Sequence, residues 1–210
     1  MSGLTARSPI FTPVVKHFAR VNAMGETINS QRVYALRKAG ILDVPFIYAL
    51  MLEGSKNGVF NDFYTTNRGQ VEIFKILFKD LIAYPGLCGG KYSNREFYIF
   101  TMDGLETGFI SFQNIRSPDG QNERNIAECA ICEEVRNQKH GWHLINMVID
   151  TASEGTRLSA YCTPYAHAMQ AVLFKHHFQL EDTVEIPGIL PLRHYTFTKA
   201  SKKDLHARCA

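Results

Sequence analysis

The 210-residue chain is long enough to bury a full core and needs only one domain. Its 45% hydrophobic and 20% charged residues describe an ordinary globular protein, and a net charge of +3 is too small to argue for nucleic acid. No apolar run approaches the roughly 18 residues that span a bilayer. Met1–Pro13 lacks a basic segment followed by an apolar one, so no secretory leader is expected. The cysteines are Cys88, Cys129, Cys132, Cys162 and Cys209, an odd number in a chain too large to need a disulfide scaffold. Reduced thiols and a cytoplasmic location are expected, with no membrane and no nucleic-acid partner.

Met1–Ser30 has weak, mixed periodicity and reads as an N-terminal extension or edge element, 1–30. Gln31–Lys38 (QRVYALRK) alternates as a short strand. Asp43 is placed to cap a helix with Pro45 in its first turn. Phe46, Ile47, Leu50 and Met51 form its apolar stripe, and Gly54 is placed to stop it. A second helix is expected over about Asn67–Ile82, with Phe74, Leu77, Phe78 and Leu81 at helical spacing and Pro85-Gly86 beyond its end.

The period then changes. Glu96–Met102 and Glu106–Phe112 read as a hairpin around Asp103-Gly104, and Ser117-Pro118-Asp119-Gly120 makes the next turn. Ile126–Cys132 is a compact apolar strand, central in its sheet. Gly141–Ala152 reads as a helix with Leu144, Ile145, Val148 and Ile149 on one face. Arg157–Cys162 returns as a strand. A helix from Pro164 to about His177 turns Met169, Val172 and Leu173 inward. Phe178–Glu185 and Leu192–Lys199 finish as two strands, ahead of a tail at 201–210. The order implies an α/β fold around a mixed sheet.

The segment Ile126–Ile149 (IAECAICEEVRNQKHGWHLINMVI) carries the chemistry. A central strand enters a short polar loop and then a helix. Loop amides at a helix N-terminus lack intrahelical partners and sit in the positive end of the dipole, so the loop is a ready anion site suited to a pyrophosphate. Arg136 and Lys139 add charge, and Gly141 permits close backbone approach.

At these residues the sequence resembles the GNAT acetyltransferase superfamily, over roughly Gln31–Lys199. Ala35–Gly54 resembles the family's opening strand and first helix. Arg136-Asn137-Gln138-Lys139-His140-Gly141 resembles its Arg/Gln-x-x-Gly-x-Gly/Ala pyrophosphate loop, and Trp142-His143-Leu144-Ile145 its helix start. Met169–Phe178 (MQAVLFKHHF) resembles the helix that ends in Leu-Tyr-x-x-x-Gly-Phe. The resemblance implies a 31–200 acyltransferase domain, a mixed, mostly antiparallel sheet flanked by about four helices. It implies acetyl-CoA as cofactor, held by Ile131, Cys132, Arg136, Asn137, Gln138, Lys139, His140, Gly141 and Trp142. The partner it implies is an amine acceptor, a small molecule or a protein, with the chain a monomer or homodimer. Three positions depart from the pattern. Lys139 replaces the first loop glycine, Leu173 or Phe174 takes the tyrosine slot, and His177 replaces the glycine before Phe178.

Direct attack on a thioester needs a base, because an amine of pKa near ~10 is mostly protonated at neutral pH. Glu128 is the best-placed acid. The competing reading is that it points to a polar face or pairs with a cation. Glu133 and Glu134 read as solvated. A backbone amide near Ile131 or Cys132 would stabilise the developing oxyanion. Tyr161, Cys162, Tyr165 and His167 are candidates to protonate the leaving thiolate, though such residues are more often packing or capping residues.

Cys129-x-x-Cys132 followed by His140-x-x-His143 invites a zinc reading, but an offset of three in a strand sends the two thiols to opposite faces, so buried small hydrophobes are expected instead. His176-His177 reads as a helix end. Tyr48, Phe60, Phe63, Tyr64 and Tyr92 line an aromatic acceptor pocket or belong to core and rim. Two other readings use the same fold: a catalytically weak CoA-binding sensor or interaction module, and an effector that modifies a host protein.

Overall fold

The alternation at Gln31–Lys38 belongs to a longer strand. The computed structural model describes residues 14–21, 27–82, 95–116, 122–185 and 190–200, with backbone alone for 14–21, 27–31, 82 and 122. In it β2 spans Thr27–Lys38 and pairs antiparallel with the edge strand β1, Val14–Val21. Pro85-Gly86, Cys88, Tyr92, the Ser117–Gly120 turn and the tail at 201–210 lie outside the described residues.

A 3-10 turn at Ile41–Asp43 leads into α1, Val44–Lys56. Asp43 does not cap this helix with its side chain, contrary to the expectation. Its carboxylate is taken instead by the Gly40 amide at 2.7 Å and by a two-pronged contact from Arg37, at 2.7 Å on each oxygen. That pair pins the end of β2 to the start of α1. Arg37 holds the Asp43 carboxyl below its usual value, first through those hydrogen bonds. Gly54 lies inside α1 and does not stop it. A Cβ there would stand 2.5 Å from the Phe60 ring, so the missing side chain seats Phe60.

The helix α2 spans Asn67–Ile82, after a second 3-10 turn at Asp62–Thr65. Its inward face is offset from the expected stripe. Ile73 and Leu77 are fully buried, while Phe74 and Phe78 are each 53% exposed and stack on one another at 6.2 Å. The reason is Gly69, one turn before Ile73. A Cβ at Gly69 would lie 2.0 Å from the Phe63 carbonyl oxygen, so this glycine sets the line along which α2 descends onto the 3-10 turn.

The remaining strands are β3 (Arg95–Met102), β4 (Leu105–Arg116), β5 (Asn122–Ile131), β6 (Arg157–Cys162), β7 (Gln179–Val184) and β8 (Leu192–Thr198). The helix α3 (His140–Thr151) joins β5 to β6, and α4 (His167–Lys175) joins β6 to β7. One eight-stranded sheet runs in the order β1-β2-β3-β4-β5-β6-β8-β7. Only β5 and β6 are parallel, the arrangement that a helical crossover makes possible.

Two apolar layers sandwich the sheet. On one face Ile47, Met51, Ile73 and Leu77 of α1 and α2 pack on Phe97, Ile99 and Phe109. On the other, Leu144, Ile145, Val148 and Leu173 of α3 and α4 pack on Tyr34, Phe100, Ile110, Phe112 and Ile126. Cys129 joins the second layer and Cys132 the first, so their thiols part to opposite faces. Among the described residues no group of three His, Cys, Asp or Glu side chains is placed to hold a metal ion. None of the described helices is long and apolar enough to cross a membrane.

Gly69→Ala tests the placement of α2. Helix propensity alone predicts a gain of about 1 kcal/mol. The clash with the Phe63 carbonyl reverses the sign, and chemical denaturation is expected to show a loss of about 1–3 kcal/mol.

Candidate active site

The pairing of β5 with β6 is short. Their register runs from Glu123–Arg157 to Ile126–Ala160 and stops. Beyond it β5 continues to Ile131 against β4 alone, and β6 continues through Cys162 against β8 alone. The two central strands therefore part into an open V at their C-terminal ends. At the head of the V lies the loop that begins α3.

That loop presents unengaged donors. Asn137 and Lys139 both take left-handed backbone, with φ of 62° and 66°. Successive amides in alternating right- and left-handed conformations form a concave anion-binding nest. Among the described residues no hydrogen bond engages the amides of Asn137, Gln138, Lys139, His140 or Gly141. Gly141 is uncrowded, since a Cβ there would make only an ordinary contact with Val172 at 3.8 Å. Its missing side chain is therefore not demanded by packing.

The side chains of this segment are less available than their sequence position implies. Arg136 donates from Nε to the Ile131 carbonyl at 2.9 Å and forms an ion pair with Glu53 of α1. It braces the loop rather than reaching into it. Trp142 stacks on His176 at 5.0 Å, and its carbonyl contacts His176 Nε2 at 3.1 Å. His140 is 1% exposed, tilted against Tyr34 at 5.7 Å, and among the described residues neither ring nitrogen has a hydrogen-bond partner. Burial, with Arg32 adding to it, holds its imidazole below the ordinary value. Asn137, Gln138 and Lys139 are exposed.

One edge of the V supplies a candidate oxyanion donor. Cys132 gives its amide to the Thr107 carbonyl at 2.9 Å, so it is committed to β4. Alternation turns the Ile131 amide and carbonyl the other way, into the gap between β5 and β6. Arg136 occupies that carbonyl, and among the described residues no acceptor engages the amide.

The candidate acids and bases separate clearly. Glu128 is 8% exposed and doubly held: Arg95 Nη1 lies 2.9 Å from Oε1, and Ser111 Oγ donates to Oε2. The pairing alternative is what the structure shows. Tyr64 stands beside this pair, its hydroxyl pKa raised by burial and by Glu128. Cys162 lines the V on β6, but burial pushes its thiol up to about 12. Such a thiol loses its proton uphill to a thiolate of ordinary pKa near ~8.5. Cys129 is likewise pushed up to about 12. His167, the first residue of α4, is exposed. Tyr165 packs its ring against Gly58, whose φ of 71° needs a glycine. Beside them Thr163 donates to the Gly58 carbonyl at 2.7 Å, which ties the α1 side to the β6–α4 connection. Tyr161 stacks flat on His194, with centroids 4.4 Å apart and 6° between planes. His194 has no local sequence signal and is a residue that reading the chain in order missed.

The tyrosine slot resolves in register. His177 adopts φ of 62°, and the Phe178 amide reaches the Leu173 carbonyl at 3.1 Å, a left-handed helix ending that glycine usually makes. Counting back from that ending puts Leu173 in the slot, fully buried in the core, while Phe174 is 76% exposed. An open cleft of about 880 Å3 lies at the other end of α3, lined by Glu96, Asn114, Arg124, Thr151 and Thr156, and does not touch the loop amides.

Two measurements follow from this geometry. Left-handed backbone costs a side chain about 1–2 kcal/mol, so Lys139→Gly is expected to stabilise the fold by about 1 kcal/mol after glycine's unfolded-state entropy is discounted. His140 has its folded pKa depressed, so the unfolded chain takes the proton first and stability falls as pH drops below about 6.5. His140→Phe is expected to keep or raise stability at pH 7 and to flatten that fall in denaturation curves taken between about pH 7 and 5.

No family model and no curated protein matches the sequence. Solved structures do match. A GNAT-family acetyltransferase from Streptococcus agalactiae aligns over 80% of this chain and 96% of its own, at 16% identity and a TM-score of 0.61. An aminoglycoside acetyltransferase solved with ribostamycin and coenzyme A aligns over 84% of this chain and 98% of its own, at 11% identity and a TM-score of 0.57. A ribosomal L7/L12 α-N-protein acetyltransferase solved with coenzyme A aligns over 79% and 94%, at 17% identity and a TM-score of 0.52. These likenesses show the fold: the chain has the GNAT acetyltransferase fold.

Proposed function

We propose that this protein is an N-acetyltransferase that moves an acetyl group from acetyl-CoA to a primary amine. The observation that carries the reading is the nest of unengaged amides at Asn137–Gly141, set at the head of the gap between β5 and β6. The donors fit a diphosphate: they are backbone N–H groups at a helix N-terminus, with no protein acceptor to displace. Lys139, exposed at the rim, adds charge without a bond to break. The acetyl-CoA thioester supplies an activated acyl carbon when bound. The chain's part is to hold the phosphates at Gln138–Gly141, to thread the thioester arm between β5 and β6, and to aim the Ile131 amide at the developing oxyanion.

Arg136 acts in this reading as a brace. It holds the Ile131 carbonyl turned into the gap and ties it to Glu53, which keeps the neighbouring amide in register with the loop. The structural relatives solved with coenzyme A support the choice of cofactor, and an aminoglycoside and a ribosomal protein among their acceptors support an amine of either size. The reading as a weak CoA-binding module gains support from two observations: Glu128 is held by Arg95 and Ser111, and Leu173 stands where the pattern has a tyrosine.

Gly141→Trp separates binding from folding. A Cβ at Gly141 makes only an ordinary contact with Val172, so the variant is expected to fold, with its melting temperature checked beside the wild type. Calorimetric titration with acetyl-CoA is expected to weaken by 100-fold or more, about 3 kcal/mol. Equal binding by the wild type and the variant would overturn the placement of the diphosphate. Turnover of an amine panel by the wild type, read as free thiol, then distinguishes enzyme from module.

A further inference from the structure

With Glu128 held, the reaction still needs a group to take the amine's proton. The face of β5 that carries Glu128 also carries Glu123 and Asn125, and Asn125 meets Ser159 of β6 at 3.2 Å on that face. Next along β6 on the same side is Tyr161, the first residue past the last β5 partner, and so it stands at the opening of the V. Its cross-strand neighbour on β8 is His194, on which its ring lies flat.

His194 is not an ordinary surface imidazole. Its Nε2 is sealed from solvent and lies 3.5 Å from Oε1 of Glu123. Glu123 is itself almost wholly buried, and among the described residues neither oxygen has a hydrogen-bond partner. The side chain of His194 nevertheless keeps 13% of its surface exposed, so the Nδ1 side is the one left to face outward. A buried carboxylate behind one ring nitrogen, with the other nitrogen accessible, is the arrangement that orients and supports a general base.

We propose that His194, oriented by Glu123 and by the Tyr161 ring, is the proton acceptor for the incoming amine; this rests on the acetyltransferase reading above. The step balances as follows. The ammonium gives one proton to His194 Nδ1, the freed nitrogen bonds to the acyl carbon, the carbon–sulfur bond breaks with its electron pair on sulfur, and the second proton on nitrogen is released to solvent. The thiolate then takes a proton from solvent. The charged and titratable groups around the imidazole are Glu123 on β5, Tyr161 on β6 with Arg157 reaching the same carboxylate, and on β7 Asp182, which pairs directly with His194 across the strands, with Glu181 next to it. Arg157 also approaches Glu123 at 3.5 Å and pairs with Glu181 at 2.7 Å, so it shares the carboxylate with His194. Tyr161 holds its own proton: burial raises its pKa, and Glu123 raises it further. It orients the ring and does not titrate in the working range.

The test follows free-thiol release from acetyl-CoA with a panel of polyamines, aminoglycosides and N-terminal peptides, and with water alone as acceptor. His194→Gln is expected to lower kcat by about 100-fold or more, with the calorimetric dissociation constant for acetyl-CoA within about threefold of wild type. Glu123→Gln is expected to lower kcat by about tenfold with the same unchanged binding. His194→Ala is expected to regain activity with added imidazole, and the acidic limb of its pH profile is expected to follow the pKa of the imidazole derivative supplied. A structural role would not produce that tracking. Full kcat in His194→Gln, loss of acetyl-CoA binding together with kcat, or no restoration by any imidazole would each overturn the assignment. So would a wild-type chain that binds acetyl-CoA but releases no thiol to any amine or to water. A wild type that does not bind acetyl-CoA at all would overturn the acetyltransferase reading itself.

Discussion

The parting of β5 from β6 after Ile126 and Ala160 is the constraint on which the rest of the site depends. A sheet gains by pairing every strand, and an unpaired buried amide or carbonyl costs about 1–3 kcal/mol. Two central strands that separate leave such groups on both sides. The fold limits this cost with local devices. Arg136 caps the Ile131 carbonyl, Thr163 ties the far side of the gap to Gly58, and α3 and α4 cover one face with apolar side chains. Among the described residues the Ile131 amide and a run of loop amides remain without a protein partner, gathered at one end. The donors left without protein partners are thus concentrated where a chain-like anionic ligand would satisfy them together.

The departures of the sequence from the family pattern look severe as letters and mild as backbone. Lys139 and His177 stand where the pattern has glycines, and both adopt left-handed backbone with φ of 66° and 62°. The glycine conformations are kept and the strain is carried, at about 1–2 kcal/mol each. The loop keeps its nest, and α4 keeps its ending with Phe178 returned to the core. The loss of the tyrosine is different in kind. Leu173 fills its slot inside the core, and no backbone adjustment supplies the hydroxyl. A change that the backbone can absorb leaves the shape of the loop intact, whereas a lost hydroxyl has no backbone substitute.

Much of this was legible from the chain. Arg157–Cys162 and Asn67–Ile82 stand where their periodicity puts them, and the offset of Cys129 from Cys132 already separates their thiols. Several outcomes turn on an atom that periodicity does not encode. Gly54 reads as a stop until Phe60 is seen against it. The stripe on α2 rotates because of the Phe63 carbonyl at Gly69. Arg136 reads as a phosphate ligand until Glu53 is seen beside it. Glu128 meets Arg95, 33 residues away, and His194 meets Glu123 across two strands. Periodicity encodes which way a side chain points and says nothing about which charge waits there.

The placement of the three polar residues on β5 shows how fine that control is. Glu123 and Asn125 share a face by simple alternation, and Ile126 takes the other. Simple alternation would then send Glu128 to the face of Ile126, into the apolar layer beneath α3. It does not go there, because the β4–β5 register slips between Ser111 and Phe112: Phe112 pairs with Ile126 and Ser111 with Glu128, and Ala127 is the extra residue. This bulge returns Glu128 to the face of Glu123, beside Arg95 and Ser111. It sits at the level where β6 is lost as a partner, so one irregularity both bends β5 away and re-aims its carboxylate. The polar lane from Glu123 to Glu128, with Tyr161 and His194 beside it, therefore has the same origin as the opening of the V. The lane and the opening are two results of a single inserted residue in the strand.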